Sequence, residues 1–166
     1  MNRRTFITLL CAGTVFFAAP SARADDWFDF KAIMRTLQNF FFPPPPHYDY
    51  DPRMIRAAEI AESHANSHQT WLCWKYVKNA LVEARVINRR PKTVSAKDAG
   101  TELCDKFGFT KLPIRNPNRA PVGAVLVYIG GDASHVELRT KTGFVSDFIS
   151  RTHYPLPLSG VYVKPS

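Results

Sequence analysis

The chain has 166 residues, 22 Lys plus Arg against 14 Asp plus Glu, 45% apolar residues, 13 Pro and 8 Gly. That is enough sequence for one globular domain; it is too apolar for a disordered chain and has no three-residue glycine period of the collagen kind. The net charge is +8, yet the basic residues fall in scattered pairs such as Lys75/Lys78 and Arg89/Arg90 without interleaved aromatics, so no nucleic-acid partner is expected.

The first 24 residues read as an export signal. Arg3 and Arg4 form a basic n-region, Phe6 to Ala19 an apolar stretch, and Ala22-Arg23-Ala24 a small-x-small cleavage pattern. The apolar stretch is shorter than the roughly 20 residues of a spanning helix, so a soluble product without stable membrane insertion is expected, periplasmic or secreted. Asn2 to Ile7 also fits a twin-arginine address, with an ordinary secretory n-region as the alternative. Cys11 follows Leu10, where a lipidation site wants a small residue. Losing Arg3, Arg4 and Arg23 lowers the net charge from +8 to +5, still a mild positive field suited to an anionic envelope.

Residues 25–50 form an N-terminal helix and a Pro-rich strap. Phe28, Ile33, Met34, Leu37 and Phe41 have helical spacing, and Pro43 to Pro46 then stop the helix in favour of an extended strap that packs Phe40 to Phe42 on the domain. The main domain covers 51–166. Asp51 and Pro52 open a helix to about Ser63, with Ile55, Ala58 and Ala61 on one face. After the polar break Ala65 to Thr70, the residues Cys73, Val77, Ala80, Leu81 and Ala84 recur at helical spacing, which puts Cys73 in a first turn. Ser95 and Asp98 start a third helix with Ala99, Leu103 and Phe107 on its face and Gly108 as its stop. Extended patterns follow at Gly123 to Ile129, Ser134 to Thr140, Gly143 to Ile149 and Gly160 to Lys164. Helices first and strands afterwards predict an α+β domain with an antiparallel sheet.

The residues that can carry chemistry are Cys73 and His135. A first-turn cysteine lies near the positive end of the helix dipole, which favours the nucleophilic thiolate, and its backbone N–H can face a developing oxyanion. His135 stands on the polar face of its strand, after the flexible run Gly130 to Ser134, where a general base fits. Each has a plainer alternative: a buried cysteine in a helical stripe and a surface histidine. Hairpin register decides which residue orients the imidazole. A three-residue loop, Lys141-Thr142-Gly143, with Gly143 at positive φ puts Asp147 diagonal to His135 and is the expected register, although it sets Glu137 opposite Asp147. A two-residue loop, Lys141-Thr142, pairs His135 with Phe148 and brings Ser146 to its face instead. Gln69, with His68 and Ser67 as rivals, is a candidate oxyanion donor. No metal is expected, because Cys-x-x-Cys and His-x-x-x-His pairs are lacking apart from His64/His68.

Cys73 to Val77 at a helix start, Ala120 to Val127 with its Pro-x-Gly, and Ser134 to Leu138 together resemble the cysteine, histidine-dependent amidohydrolase/peptidase (CHAP) family and its NlpC-type relatives. The likeness covers about 67–164. It implies a papain-like fold, a peptidoglycan substrate, no cofactor, and Cys73 as nucleophile, His135 as base and Asp147 as orienting group. The chain departs from the pattern at Ala124, where members usually carry an acidic residue, and at Ser134, where they carry Gly. The resulting expectation is an exported monomeric cell-wall hydrolase that cuts an amide or peptide bond, its inhibitor or immunity protein, if it has one, unknown. The alternative is a non-catalytic envelope domain stapled by a Cys73–Cys104 disulfide, since two mature cysteines in an oxidising compartment first suggest a crosslink.

Overall fold

The computed structural model describes residues 30–37 and 48–166. The chain divides into two units, Met1–Pro44 and Pro45–Ser166. In the first, a helix over 30–37 (α1) exposes Ile33, Met34 and Leu37. The signal segment 1–24 and the strap residues 40–46 lie outside the described residues. Among the described residues no helix is long and apolar enough to cross a membrane.

The second unit sets three helices, α2 (Arg53–His64), α3 (Cys73–Glu83) and α4 (Ala99–Phe107), beside a six-stranded sheet. The strands are β1 (Thr110–Leu112), β2 (Val125–Gly130), β3 (Ala133–Arg139), β4 (Phe144–Val145), β5 (Ile149–Ser150) and β6 (Leu158–Val163), in the order β1-β6-β2-β3-β4-β5 with every pair antiparallel. This is an α+β fold. Strand alternation divides the core in two. Val125, Val127, Val136 and Leu138 meet the helices through Met54, Val77, Leu81 and Leu103. Leu126, Tyr128, Phe144, Val161 and Val163 fill the opposite face.

Local chemistry sets the helix starts. The Asp51 carboxylate accepts from the Arg53 backbone N–H at 2.9 Å, and Met54, Ala57, Ala58 and Ala61 form the buried face of α2. Ala58 and Ala61 are buried as expected, while Met54 takes the place expected of Ile55, which is half-buried. Gly123 packs directly against this helix: it has φ +89°, and its missing Cβ would lie 2.5 Å from the Met54 carbonyl carbon. Only glycine lets β2 begin this close to α2. The third helix starts as a 3-10 turn at Ala96–Asp98, with the Ser95 side chain accepting from Lys97 N.

Three expectations for the sheet need correction. The expected strand 143–149 is two short strands, β4 and β5, folded onto each other around Asp147. The β3–β4 register pairs Leu138 with Val145 and Arg139 with Phe144, and Thr140 N donates to Gly143 O at 2.9 Å, so Lys141 and Thr142 form the turn. This is the two-residue-loop register. Gly143 is not at positive φ; it is small because a Cβ there would meet Ser150 O at 2.2 Å. Thirdly, β1 is an added edge strand whose short, mixed pattern did not announce it.

Candidate active site

Cys73 is the first residue of α3 and is half-buried, while its neighbour Trp74 lies inside the helix-side core. The segment entering α3 is fixed by Asp147, which is fully buried. Its Oδ2 accepts from Thr70 N at 2.6 Å, Thr70 Oγ1 at 2.8 Å and Leu72 N at 3.2 Å, and its Oδ1 accepts from Ser146 Oγ at 3.0 Å. Asn66 adds two bonds to the Asp147 carbonyl, from N at 2.9 Å and Nδ2 at 2.8 Å. Burial alone would raise the Asp147 pKa, but the Thr70 and Leu72 donors outweigh it and hold the carboxyl below the usual range. The two backbone donors flank Trp71, whose φ of +63° is left-handed. A buried carboxylate thus holds a strained turn that delivers Cys73 to the helix N-terminus.

His135 is 1% exposed, inside the sheet rather than on a solvated face. Its ring stacks on Tyr154 at 3.8 Å between centroids and 13° between planes. Glu137, two residues along β3 and so on the same face, brings Oε2 to 3.6 Å from His135 Nε2. The other oxygen of Glu137 accepts from Tyr128 Oη at 2.7 Å, which fixes the carboxylate. Among the described residues His135 Nε2 makes no hydrogen bond. Burial alone would push the imidazole pKa down; the neighbouring Glu137 carboxylate and Cys73 overcome this and bring it up to about 9.

The raised His135 pKa has Cys73 and Glu137 among its causes, with Glu137 at 3.6 Å from Nε2. Asp147 does not take the expected place against His135. With β4 and β5 folded back on each other, neither Asp147 nor Ser146 hydrogen-bonds the imidazole; their side chains bond each other and the Thr70–Leu72 turn. Glu137 is the carboxylate that stands beside the ring, a placement its i+2 spacing from His135 could have signalled. Gln69 donates from Nε2 to Tyr154 Oη at 3.3 Å, which places it against the residue stacked on His135. Cys73 and Cys104 are both free thiols, so the crosslink required by the stapled-domain alternative is not made. Burial pushes the Cys104 thiol up, in keeping with a core position on α4.

Beside Cys73 opens a cleft of about 450 Å³, lined among others by Trp71, Lys75, Lys78, Arg90 and Ser134. A half-buried thiol, a protonatable imidazole, a carboxylate beside it and a cleft adjoining the thiol make an arrangement capable of acyl transfer.

No protein-family model matches the chain, and no curated protein matches it. Among solved structures, the chain is similar in fold to a chain of the native type VI effector–immunity complex Tae3–Tai3 from Ralstonia pickettii, with 24% identity over 72% of this chain and 100% of that one and a TM-score of 0.56.

Proposed function

We propose that this chain is an exported cell-wall hydrolase of papain-like fold that cleaves an amide or peptide bond of peptidoglycan with Cys73 as nucleophile and His135 as acid and base. The observation that carries the reading is the Cys73–His135–Glu137 grouping at a helix N-terminus, with the imidazole pushed up to about 9 by its two partners. The resemblance at Cys73 to Val77, Ala120 to Val127 and Ser134 to Leu138 supports it, and so does the fold likeness to a chain from an effector–immunity complex. That likeness also motivates an inhibitory protein partner.

In this reading the proton rests on His135 and Cys73 attacks the carbonyl carbon as the thiolate. The Cys73 backbone N–H, which has no partner within the helix, and the Gln69 amide serve the oxyanion. His135 passes its proton to the leaving amine as the C–N bond breaks, leaving a thioester on Cys73. The neutral imidazole then takes one proton from water, whose oxygen attacks the thioester; the C–S bond breaks to restore thiolate and imidazolium, and the released carboxylic acid gives its remaining proton to solvent. Glu137 stabilises the imidazolium in both halves, and Tyr128 keeps Glu137 in place.

Digestion of purified peptidoglycan, followed by counting of newly released amino groups, tests the reading. The mature protein is expected to release them, and Cys73→Ala and His135→Ala to lose at least about 10³-fold in rate, since members of one catalytic unit fail together. Release by Cys73→Ala at the wild-type rate, or no release by wild type, would refute it.

A further inference from the structure

The cleft beside Cys73 holds more positive charge than the chemistry uses. Lys75, Lys78 and Arg90 all line it, and the N-terminal end of the 11-residue helix α3 opens onto it. None of the three cations forms a salt bridge among the described residues. Lys78 is buried, donating to Thr93 O at 2.7 Å and lying 5.3 Å over the Trp74 ring. Burial and the nearby Arg90 guanidinium both lower its pKa, with Glu102 acting against them. Glu102 is already occupied, accepting from Lys92 N, Thr93 N and Thr93 Oγ1. Lys78 and Arg90 repel each other at an open cleft, a repulsion Glu102 acts against, and an anion that enters the cleft relieves it further. The rim is apolar: Trp71, Leu72 and Val94 are exposed there.

We infer that this cleft is an anion subsite that takes a free carboxylate neighbouring the scissile amide, Arg90 and Lys75 meeting the carboxylate and Lys78 sustaining the field behind them. The inference rests on Cys73 being the attacking group, as proposed above, and names the substrate class: amides flanked by an ionised carboxylate rather than by a carboxamide. Arg90 offers the planar fork that pairs with a carboxylate, and the apolar rim seats the body that carries it.

Alkylation of Cys73 tests the subsite without requiring hydrolysis. Iodoacetate and iodoacetamide transfer similar groups to the sulfur with loss of iodide and differ in carrying a carboxylate or a carboxamide. The iodoacetate to iodoacetamide rate ratio at Cys73 should exceed that of N-acetylcysteine by about tenfold or more. It should fall several-fold in Arg90→Gln and in Lys75→Gln, and stay at the wild-type value in Lys111→Gln, which removes a charge on the far edge strand. A ratio that survives Arg90→Gln with Lys75→Gln would trace the preference to the His135 imidazolium and overturn the inference. An equal fall in Lys111→Gln would trace it to net charge and overturn it too. Hydrolysis of paired peptidoglycan fragments that differ only in a free or amidated carboxyl completes the test, with higher kcat/KM expected for the free acid. If neither fragment is cut while the labelling pattern holds, the hydrolase reading fails and the anion subsite stands.

Discussion

Glu137 does for His135 what a carboxylate can do only from close range: at 3.6 Å from Nε2, in a buried site, it favours the imidazolium over the neutral ring. Glu137→Gln keeps the shape and the Tyr128 contact but removes the charge. The His135 pKa should then fall from about 9, read by NMR titration of the imidazole, and turnover should drop by about 10- to 10³-fold. An unchanged pKa would show that Cys73 alone sustains the imidazolium. The same group makes stability depend on pH. Its folded pKa lies above the unfolded value of 6.5, so its contribution is full below pH 6.5 and is lost as pH rises through about 9. Denaturant melts of wild type should weaken across that window, and those of His135→Ala should weaken less.

The turn 66–72 and the β4–β5 hairpin act as one element, because the Asp147 carboxylate and carbonyl tie them together. Asp147→Asn removes a buried charge that accepts from two backbone N–H groups and two hydroxyls, and charge-assisted bonds contribute about 1.5–3 kcal/mol each. A stability loss of at least about 2 kcal/mol by denaturant titration is expected, with slower Cys73 alkylation because the helix entry loosens. Full stability combined with lost turnover would instead assign Asp147 to the chemistry. Gly123→Ala should cost several kcal/mol, since the added Cβ meets the Met54 backbone at 2.5 Å. Helical spacing made α2, α3 and α4 legible, and Cys73 at a helix start followed from it. The Asp147 role was not legible, because Asn66, Thr70 and Ser146 look like ordinary loop residues until the fold brings them to one carboxylate. The wrong hairpin register had a physical source as well. Gly143 was read as a backbone-sign requirement, whereas its smallness answers the approach of Ser150.

Across the second unit, α2, α3 and α4 meet one face of the sheet, and the buried imidazole and its carboxylate stand on strand positions of the opposite face. The order of helices before strands was readable from the change in hydrophobic period near Pro121, and so was the antiparallel sheet. Burial of His135 and Glu137 was not, because an alternating strand with polar residues on one face looks solvent-facing until Tyr154 and Tyr128 are seen to cover it. Such a site leaves a covalent record when it turns over. Acid quenching of the mature protein within its first turnovers on peptidoglycan fragments, followed by peptide mass mapping, measures this directly. An acyl adduct on the Cys73 peptide is predicted, absent from Cys73→Ala and appearing with at least about 10³-fold slower formation in His135→Ala. Cleavage that proceeds at the wild-type rate in Cys73→Ala, with no adduct at any stage, would contradict a Cys73–His135 mechanism.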